Sequence, residues 1–281
     1  MLLKKSIELG EQKGVRFVNG KVSIQKVSLN VYCYEVDGLL IDTGSRTLKN
    51  EIQDFLLNAD VDQVVLTHLH EDHSGCASIL EKKRKLPIFV HPIAVEDSIK
   101  NPDYPLYRKI FWGKRRPFHG KPIGKTFHSR NALWDVIETP GHAKDHLSFI
   151  NRETGQLFSG DLFVQTKTKV ILREESIPTI IRSIEHLLTY EFDEMFCCHA
   201  GYIKNGRRML EEKRNYLLEI QGQVLSQYEK GLSPQQIHDE LFNKRYAISK
   251  FSFGEWDSMH IITSIIRDSE IQLLSSNVSK N

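Results

Sequence analysis

The stretch V-V-L-T-H-L-H-E-D-H-S-G, which runs from Val64 to Gly75, decides how the rest of this chain is interpreted. It begins as a short apolar strand and ends where the pattern turns toward a helix. His68 and His70 point the same way if the strand continues, because side chains on a strand repeat every two residues. Asp72 and His73 follow directly. Imidazole and carboxylate groups together suit zinc, iron or manganese, so the stretch predicts a metal site.

Three further candidate ligands stand in distant segments, which is necessary because six residues cannot complete the coordination of two ions. His142 follows an apolar run in T-P-G-H-A, Asp161 stands in F-S-G-D, and His199 stands in C-C-H-A-G. Each is a polar residue beside or close to a glycine at the end of a strand-like run, where open α/β sheets place their sites. Five histidines and two aspartates are then enough for two metals that share a carboxylate.

Outward from this stretch, strand and helix patterns alternate and predict an α/β fold. V-R-F-V and K-V-S-I-Q-K-V, separated by Asn19-Gly20, predict a hairpin with its turn at these two residues. Beyond Gly206 only helical patterns occur, over 207–229, 233–242 and 255–267. The sequence therefore predicts a mixed, catalytic domain over residues 1–205 and a helical region over 206–281.

Residues 100–130 differ from the rest of the chain, with nine lysine or arginine residues against the single acid Asp103 in a protein of net charge +2. Poor periodicity and recurring proline and glycine predict a long insertion and not a core element. It is either a solvated cap whose aromatic residues pack on one another, or a substrate cover whose Lys114, Arg115 and Arg116 attract an anionic substrate. Interleaved aromatic and basic residues also fit single-stranded nucleic acid, which the acidic remainder of the chain does not favour.

The motifs H-L-H-E-D-H, P-G-H, S-G-D and H-A-G, in this order, resemble those of the metallo-beta-lactamase superfamily. The resemblance covers roughly residues 14–201 and implies a four-layer αββα sandwich, here with an α-helical C-terminal appendage. It assigns two sets of metal ligands and a bridging carboxylate: His68, His70 and His142 for the first ion, Asp72, His73 and His199 for the second, and Asp161 between them. Asp72 is also the predicted catalytic residue. Asp42, in L-I-D-T-G, matches an acidic residue that supports the metal-binding loop.

Two divalent ions at this site would lower the pKa of a shared water toward neutrality and so provide hydroxide. We therefore expect metal-dependent hydrolysis of a small-molecule ester, thioester or related acyl substrate, similar to the glyoxalase II branch. Three alternatives stay open: a phosphodiesterase or ribonuclease of the same fold, an oxidoreductase resembling mononuclear iron persulfide dioxygenases, and a non-catalytic ligand-binding sensor. Zinc is the first expectation for both ions, with iron or manganese as alternatives.

Composition limits the cellular setting and the partners. The charges, 38 basic against 36 acidic, are balanced, and no apolar run approaches the ~20 residues that span a bilayer. The first residues lack the apolar stretch of a signal peptide, and four cysteines make no disulfide framework. We expect a cytoplasmic protein with a small, anionic substrate and neither membrane nor nucleic acid as partner. β-Lactam hydrolysis is not favoured, because an exported enzyme should begin with an export signal.

Two further expectations concern the edges of the site. Tyr202, just after His199, is a predicted substrate contact. The helical tail from about Gly206 is expected to form a wall of the substrate pocket or a contact between the subunits of a homodimer. His146, in A-K-D-H, is either a partner of the metal ligands or a strand-start residue, and the second interpretation is preferred. Cys197 and Cys198 are expected to be buried thiols.

Overall fold

The computed structural model describes residues 3–244 and 246–278, which form two compact units. The first unit holds the chain up to Glu138 together with Asp145–Val164 and Glu191–Arg207. The second holds Thr139–Lys144, Gln165–Tyr190 and the chain from Arg208 onward. These units do not follow the predicted boundary at 205/206, since the second takes two segments that precede the tail. Whether that boundary separates two domains stays a prediction.

The regular elements of the described residues are as follows. The strands, in chain order, are β1 Lys4–Gln12, β2 Val15–Ile24, β3 Val27–Val36, β4 Leu39–Ile41, β5 Gln63–Val65, β6 Ile88–Val90, β7 Gly120–Pro122, β8 Thr126–His128, β9 Leu133–Glu138, β10 Leu147–Asn151, β11 Leu157–Gly160, β12 Ile171–Leu172, β13 Met195–Cys197, β14 Gly201–Ile203 and β15 Trp256–Asp257. The helices are α1 Lys49–Asn58, α2 Glu71–Ser74, α3 Ala77–Arg84, α4 Val95–Ser98, α5 Leu106–Phe111, α6 Ile177–Leu187, α7 Gly206–Glu229, α8 Pro234–Leu241, α9 Ala247–Phe251 and α10 Met259–Val278. Short 3₁₀ turns occur at Arg46–Leu48 and Pro92–Ala94.

Two sheets make up the first unit. In the first sheet the strands follow the order β1-β2-β3-β4-β5-β6-β7, antiparallel up to β4 and parallel from β4 to β7. The second sheet has the order β14-β13-β11-β10-β9-β8, with β11 and β13 parallel. Parallel pairs need crossover connections, which the helical segments between β4, β5 and β6 supply. The sheets are therefore mixed, as the alternating patterns predict.

The predicted turn at Asn19-Gly20 is wrong, because β2 runs straight through both residues. The chain instead turns at Lys13-Gly14 and at Gln25-Lys26, which lie between β1, β2 and β3. A Cβ on Gly20 would lie 2.5 Å from Cδ1 of Leu48. This glycine is thus explained by the close approach of the segment leading into α1. An Asn-Gly pair often forms a tight turn, but here its glycine leaves room for the Leu48 side chain.

The core of the first unit lies between its two sheets. Tyr34 and Leu39 of the first sheet share one buried cluster with Trp134, Phe149 and Phe158 of the second. The aromatic rings pack edge-on or stacked at centroid distances near 5.5 Å, for example between Tyr34 and Phe158. Burying rings of this size dominates the energy of such a core. Two sheets packed face to face leave the ends of their strands side by side at one edge, and the candidate site lies there.

Residues 100–130 are not the separate insertion that the sequence predicts. β7 extends the first sheet and β8 the second, and Phe111 and Phe118 are fully buried. Several of the basic side chains are neutralised within the first unit. Arg108 pairs with Glu71, Lys109 with Asp103, and Arg130 with Asp60 and Asp62. The segment therefore belongs to the fold, and part of its charge is compensated.

The second unit contains the helices predicted for the tail. α6 begins after Ser176, whose hydroxyl accepts a hydrogen bond from the Thr179 backbone N–H, and it buries an isoleucine-rich face. α8 begins with a capping box formed by Ser233 and Gln236. α10 packs against both α6 and α8. Within the described part of the chain, no helix combines the length and apolar character that a bilayer-spanning segment needs.

Candidate metal centre

Two predicted ligands of the first unit, Asp161 and His199, and the predicted supporting residue Asp42 stand at the carboxyl ends of parallel strands. Asp42 follows β4, Asp161 follows β11, and His199 comes two residues after β13. Two backbone hydrogen bonds join the sheets at this edge: Leu147 N–H donates to the Thr67 carbonyl at 2.8 Å, and Tyr32 N–H donates to the Cys198 carbonyl at 2.7 Å. In α/β sheets the functional groups commonly lie at the carboxyl ends of parallel strands, because the backbone beyond these ends is not paired with a neighbouring strand.

The H-L-H-E-D-H stretch is a loop and a short helix, since β5 ends at Val65 and α2 begins at Glu71. The imidazole rings of His68 and His70 lie 4.5 Å apart between centroids, and those of His68 and His73 lie 4.1 Å apart. Asp145, whose role the sequence analysis missed, accepts a hydrogen bond from the Leu69 backbone at 2.9 Å. The loop is thus held in place by a carboxylate from a segment 76 residues away.

Asp42 holds the loop from beneath with a fully buried carboxylate. Oδ1 accepts from the Thr67 backbone N–H at 2.8 Å, and Oδ2 accepts from the Thr67 hydroxyl at 2.8 Å and from Nδ1 of His73 at 2.8 Å. The Cys198 thiol donates to the same Oδ2 at 3.1 Å. Because Nδ1 of His73 carries the hydrogen in this contact, Nε2 is the ring nitrogen left to face the site.

Nε2 of His73 gives a direct test of whether a metal fits here. It is buried and makes no hydrogen bond to any described residue, and it lies 3.6 Å from Oδ2 of Asp72 and 3.4 Å from Oδ1 of Asp161. Burial opposes the charged form of the ring, but the carboxylates of Asp161, Asp72 and Asp42 outweigh it and raise the pKa of His73 well above its usual value. A buried excess of negative charge around this nitrogen is what a divalent cation would neutralise.

His199 is oriented in the same way as His73. Its Nδ1 donates to the Asn30 carbonyl, which leaves Nε2 at 2.9 Å from Oδ2 of Asp161 and 3.6 Å from Oδ2 of Asp72. The potential ligand atoms of Asp72, His73 and His199 lie within 4.8 Å of one another, and so do those of His68, His73 and Asp161. Asp161 is thus close to members of both groups, and the residues present fit a metal site.

His146 directly precedes β10, as the preferred interpretation expects, and its side chain also contacts the candidate site. The side chain is fully buried, and its Nε2 accepts a hydrogen bond from the Asp161 backbone N–H at 2.9 Å. Gly160 allows this approach, because a Cβ there would lie 2.5 Å from that Nε2. The spacing between His142 and His146 gave no indication of this contact, which depends on the packing of β10 against β11.

His142 lies in the second unit, on the turn between β9 and Asp145. It is buried, and its Nδ1 lies 3.4 Å from Oε2 of Glu175. Oε1 of Glu175 accepts from the Leu172 backbone at 2.9 Å, which fixes the carboxylate. A carboxylate against the second nitrogen is the arrangement that orients metal-ligating histidines. The assignment of His142 to the first ion stays a prediction, and Glu175 is the supporting residue that sequence reasoning missed.

Two of the predicted substrate contacts have other partners. Arg115 is buried, and its guanidinium donates to the carbonyls of Asp97 and Ser98 at 2.9 Å. It holds the end of α4 and is no longer a candidate for binding substrate. The Tyr202 hydroxyl donates to Glu194 at 2.9 Å. Glu194 and His199 lie at opposite ends of β13, so this hydrogen bond does not support a substrate role for Tyr202. Lys114 and Arg116 are exposed.

The four cysteines are free and buried, as expected for Cys197 and Cys198. Burial raises the pKa of the Cys76 thiol to about 12, and it raises the pKa of the other three thiols as well. Only about one Cys76 in ten thousand is then thiolate at pH 8, against roughly a quarter for an unperturbed cysteine. Since the thiolate is the reactive form, these residues are inert in the folded protein.

We therefore predict that iodoacetamide at pH 8 labels none of the four cysteines in the folded protein within the time that fully labels the protein in 6 M guanidinium chloride. Intact-mass spectrometry counts the alkyl groups. A single group acquired under native conditions would contradict the burial of at least one thiol, and peptide mapping would identify it.

The fold and the site define a class of protein. The model of the metallo-beta-lactamase superfamily matches residues 29–203, so the chain belongs to this superfamily, and the predicted α/β fold of that type with C-terminal helices is confirmed. The superfamily comprises hydrolases that bind divalent metals, and the clusters of histidine and aspartate found here fit such a site.

Individual relatives are distant. The chain is 26% identical over 215 residues to an atrochrysone carboxyl ACP thioesterase of Passalora fulva, covering 74% of this chain and 58% of that protein. It is 24% identical over 226 residues to the probable metallo-hydrolase YqjP of Bacillus subtilis, covering 65% of this chain and 70% of that protein. Among solved structures, the metallo-beta-lactamase family protein TTHA1429 from Thermus thermophilus shares the fold, with a TM-score of 0.67, 19% identity and coverage of 92% of this chain and 95% of that one.

Proposed function

We propose that this protein is a dinuclear metal-dependent hydrolase of small-molecule thioesters or related acyl esters. The observation that carries the proposal is the orientation of the buried imidazoles. Asp42 accepts a hydrogen bond from Nδ1 of His73, and the Asn30 carbonyl accepts one from Nδ1 of His199. Both Nε2 atoms therefore face the carboxylates of Asp72 and Asp161. Side chains fixed in this way bind a metal without having to reorganise.

Divalent ions held here, zinc in the first instance, would supply hydroxide at neutral pH and polarise the scissile carbonyl. The remaining chemistry belongs to the chain. Asp42 keeps His73 in one tautomer, and His146 holds the Asp161 backbone. Asp72, whose Oδ2 lies 3.6 Å from Nε2 of both His73 and His199, is the residue that we propose to accept the proton that the attacking water gives up during hydrolysis.

The similar proteins support the proposal that the substrate is an acyl compound. A thioesterase and a probable metallo-hydrolase are both similar to this chain over two thirds or so of its length. No serine or cysteine nucleophile is needed for the reaction, and the four cysteines are buried with raised pKa values. A small-molecule substrate, with neither nucleic acid nor membrane as partner, completes the proposal.

The test is a side-by-side panel of an aliphatic thioester, a lactone, bis(p-nitrophenyl) phosphate, single-stranded RNA and a β-lactam, with protein whose metal content has been measured. We expect thioester or ester hydrolysis to exceed the others by at least about tenfold in kcat/KM, and EDTA dialysis to abolish it. Re-addition of Zn²⁺, Fe²⁺ and Mn²⁺ in separate samples identifies the working metal.

Each result of the panel leads to a decision. Activity confined to phosphodiesters and RNA would replace the acyl hydrolase with a nuclease of the same fold. Oxygen consumption with a persulfide and a single iron per chain would replace it with a dioxygenase. Metal binding without turnover of any substrate class would favour a ligand-binding sensor.

A further inference from the structure

A second concave site lies in the first unit, formed by residues that the metal centre does not use. It has a volume of about 410 Å³, within the range of small-molecule sites. Its lining is Arg46, Thr47, Asn101, Gly113, Lys114, Arg115 and Arg116. Four of these residues are cationic and none is acidic.

Three of the four cations that line this pocket have no carboxylate partner among the described residues. Among the described residues, Arg46, Lys114 and Arg116 form no ion pair, although other basic side chains of the 100–130 segment do. Nη1 of Arg46 is buried and makes no hydrogen bond to the described residues. Burial and then the nearby charge of Arg116 lower the pKa of Arg46. An anion in the pocket would meet the exposed Lys114 and Arg116 directly and would reduce the electrostatic cost of holding Arg46 beside Arg116.

The pocket is built from rigid backbone. Thr47 N–H donates to the Trp112 carbonyl at 3.0 Å, and the Tyr104 hydroxyl donates to the Gly113 carbonyl at 3.0 Å and accepts from Arg115 N–H at 2.7 Å. The buried Arg115 anchors the same loop to α4, whereas its neighbours Lys114 and Arg116 are exposed. On the other wall, the Arg46 backbone packs so closely on Gly75 that a Cβ there would lie 2.5 Å from Arg46 N.

We propose that this pocket binds the phosphate group of a phosphorylated small molecule. The exposed Lys114 and Arg116 and the partly buried Arg46 surround one concavity and match a multiply charged tetrahedral anion, and arginine pairs with phosphate through two parallel hydrogen bonds. The pocket is a local concavity and does not form the long basic groove that single-stranded nucleic acid needs. The inference does not depend on the acyl-hydrolase proposal, because none of the lining residues is a predicted metal ligand.

The experiment is isothermal titration calorimetry of inorganic pyrophosphate into the metal-loaded protein and three variants. Arg46→Gln and Arg116→Gln remove one pocket cation each, and Lys121→Gln removes one from the same basic segment outside the pocket. We expect each arginine variant to weaken binding about tenfold to a hundredfold and Lys121→Gln to bind like the wild type. Pyrophosphate bound at the metal centre would be unchanged in all four proteins, so the difference isolates the pocket.

Equal affinity in all four proteins, or no binding by the wild type, would overturn the proposal. So would an affinity for single-stranded oligonucleotides that rises with their length and exceeds that for pyrophosphate. Arg116 is exposed, so Arg116→Gln is expected to fold even if Arg46→Gln does not. Thioester turnover, measured on the same samples without phosphate, reports separately on the metal centre.

Discussion

Asp161→Ala is expected to remove at least one of about two metal ions per chain and to lower hydrolysis by more than about a hundredfold. The reason is the position of this carboxylate, with Oδ1 3.4 Å from Nε2 of His73 and Oδ2 2.9 Å from Nε2 of His199. No other described carboxylate lies within 4 Å of both ring nitrogens through different oxygens. Removing it takes a ligand from the His68, His73 and Asp161 group, a close neighbour from His199, and a negative charge that the metals would neutralise.

Inductively coupled plasma mass spectrometry on dialysed protein measures the metals, and the thioester assay measures the activity. Asp103→Ala is the matched control, because Asp103 is exposed and pairs with Lys109 on the surface. Asp161→Asn keeps the shape and one oxygen, so it separates the loss of charge from the loss of volume. Two retained ions in folded Asp161→Ala would show that Asp161 does not bridge the metals.

Arg108→Met is expected to destabilise the protein by about 3–5 kcal/mol, because it leaves the Glu71 carboxylate buried without its cation. Nε and Nη2 of Arg108 donate to the two oxygens of Glu71 at 2.6 and 2.7 Å, and the Glu71 side chain is only 1% exposed. Burial alone would lower the pKa of Arg108, but the neighbouring Glu71 raises it above its usual value. Glu71 opens α2 next to Asp72, so the pair also holds the metal loop.

Urea unfolding of four proteins tests this pair: the wild type, Arg108→Met, Glu71→Leu and the double variant. The double variant should recover most of the stability, since replacing both partners of a buried ion pair by apolar groups is close to neutral. Arg130→Met, which breaks an exposed pair with Asp60 and Asp62, should cost far less stability than Arg108→Met, because solvent screens the exposed charges. An equally small loss of stability in Arg108→Met would mean that water reaches the Glu71 carboxylate, which would contradict a buried ion pair.

The class of fold could be predicted from the sequence, and the candidate metal ligands could be proposed from it, because both depend on local patterns. An apolar run that ends in histidine, aspartate or glycine indicates the end of a strand, whichever strands it pairs with in the folded protein. The capping box at Ser233 and the isoleucine face of α6 are equally local, and the helices predicted for the tail are found. The error at Asn19-Gly20 marks the limit of this reasoning, since that glycine is explained by contact with Leu48 and not by a turn.

Only the tertiary structure decided which atom of each candidate ligand faces the site and which charged side chains are paired with another group. Asp42 selects a nitrogen of His73 from 31 residues away, and Arg108 pairs with Glu71 across 37 residues. The sequence left open whether the basic segment is a solvated cap or a cationic substrate cover. Packing commits Arg115 to backbone carbonyls and leaves Arg46 beside Arg116. Local periodicity carries no information about such pairs, because they are set by the register and packing of strands that are distant in the chain.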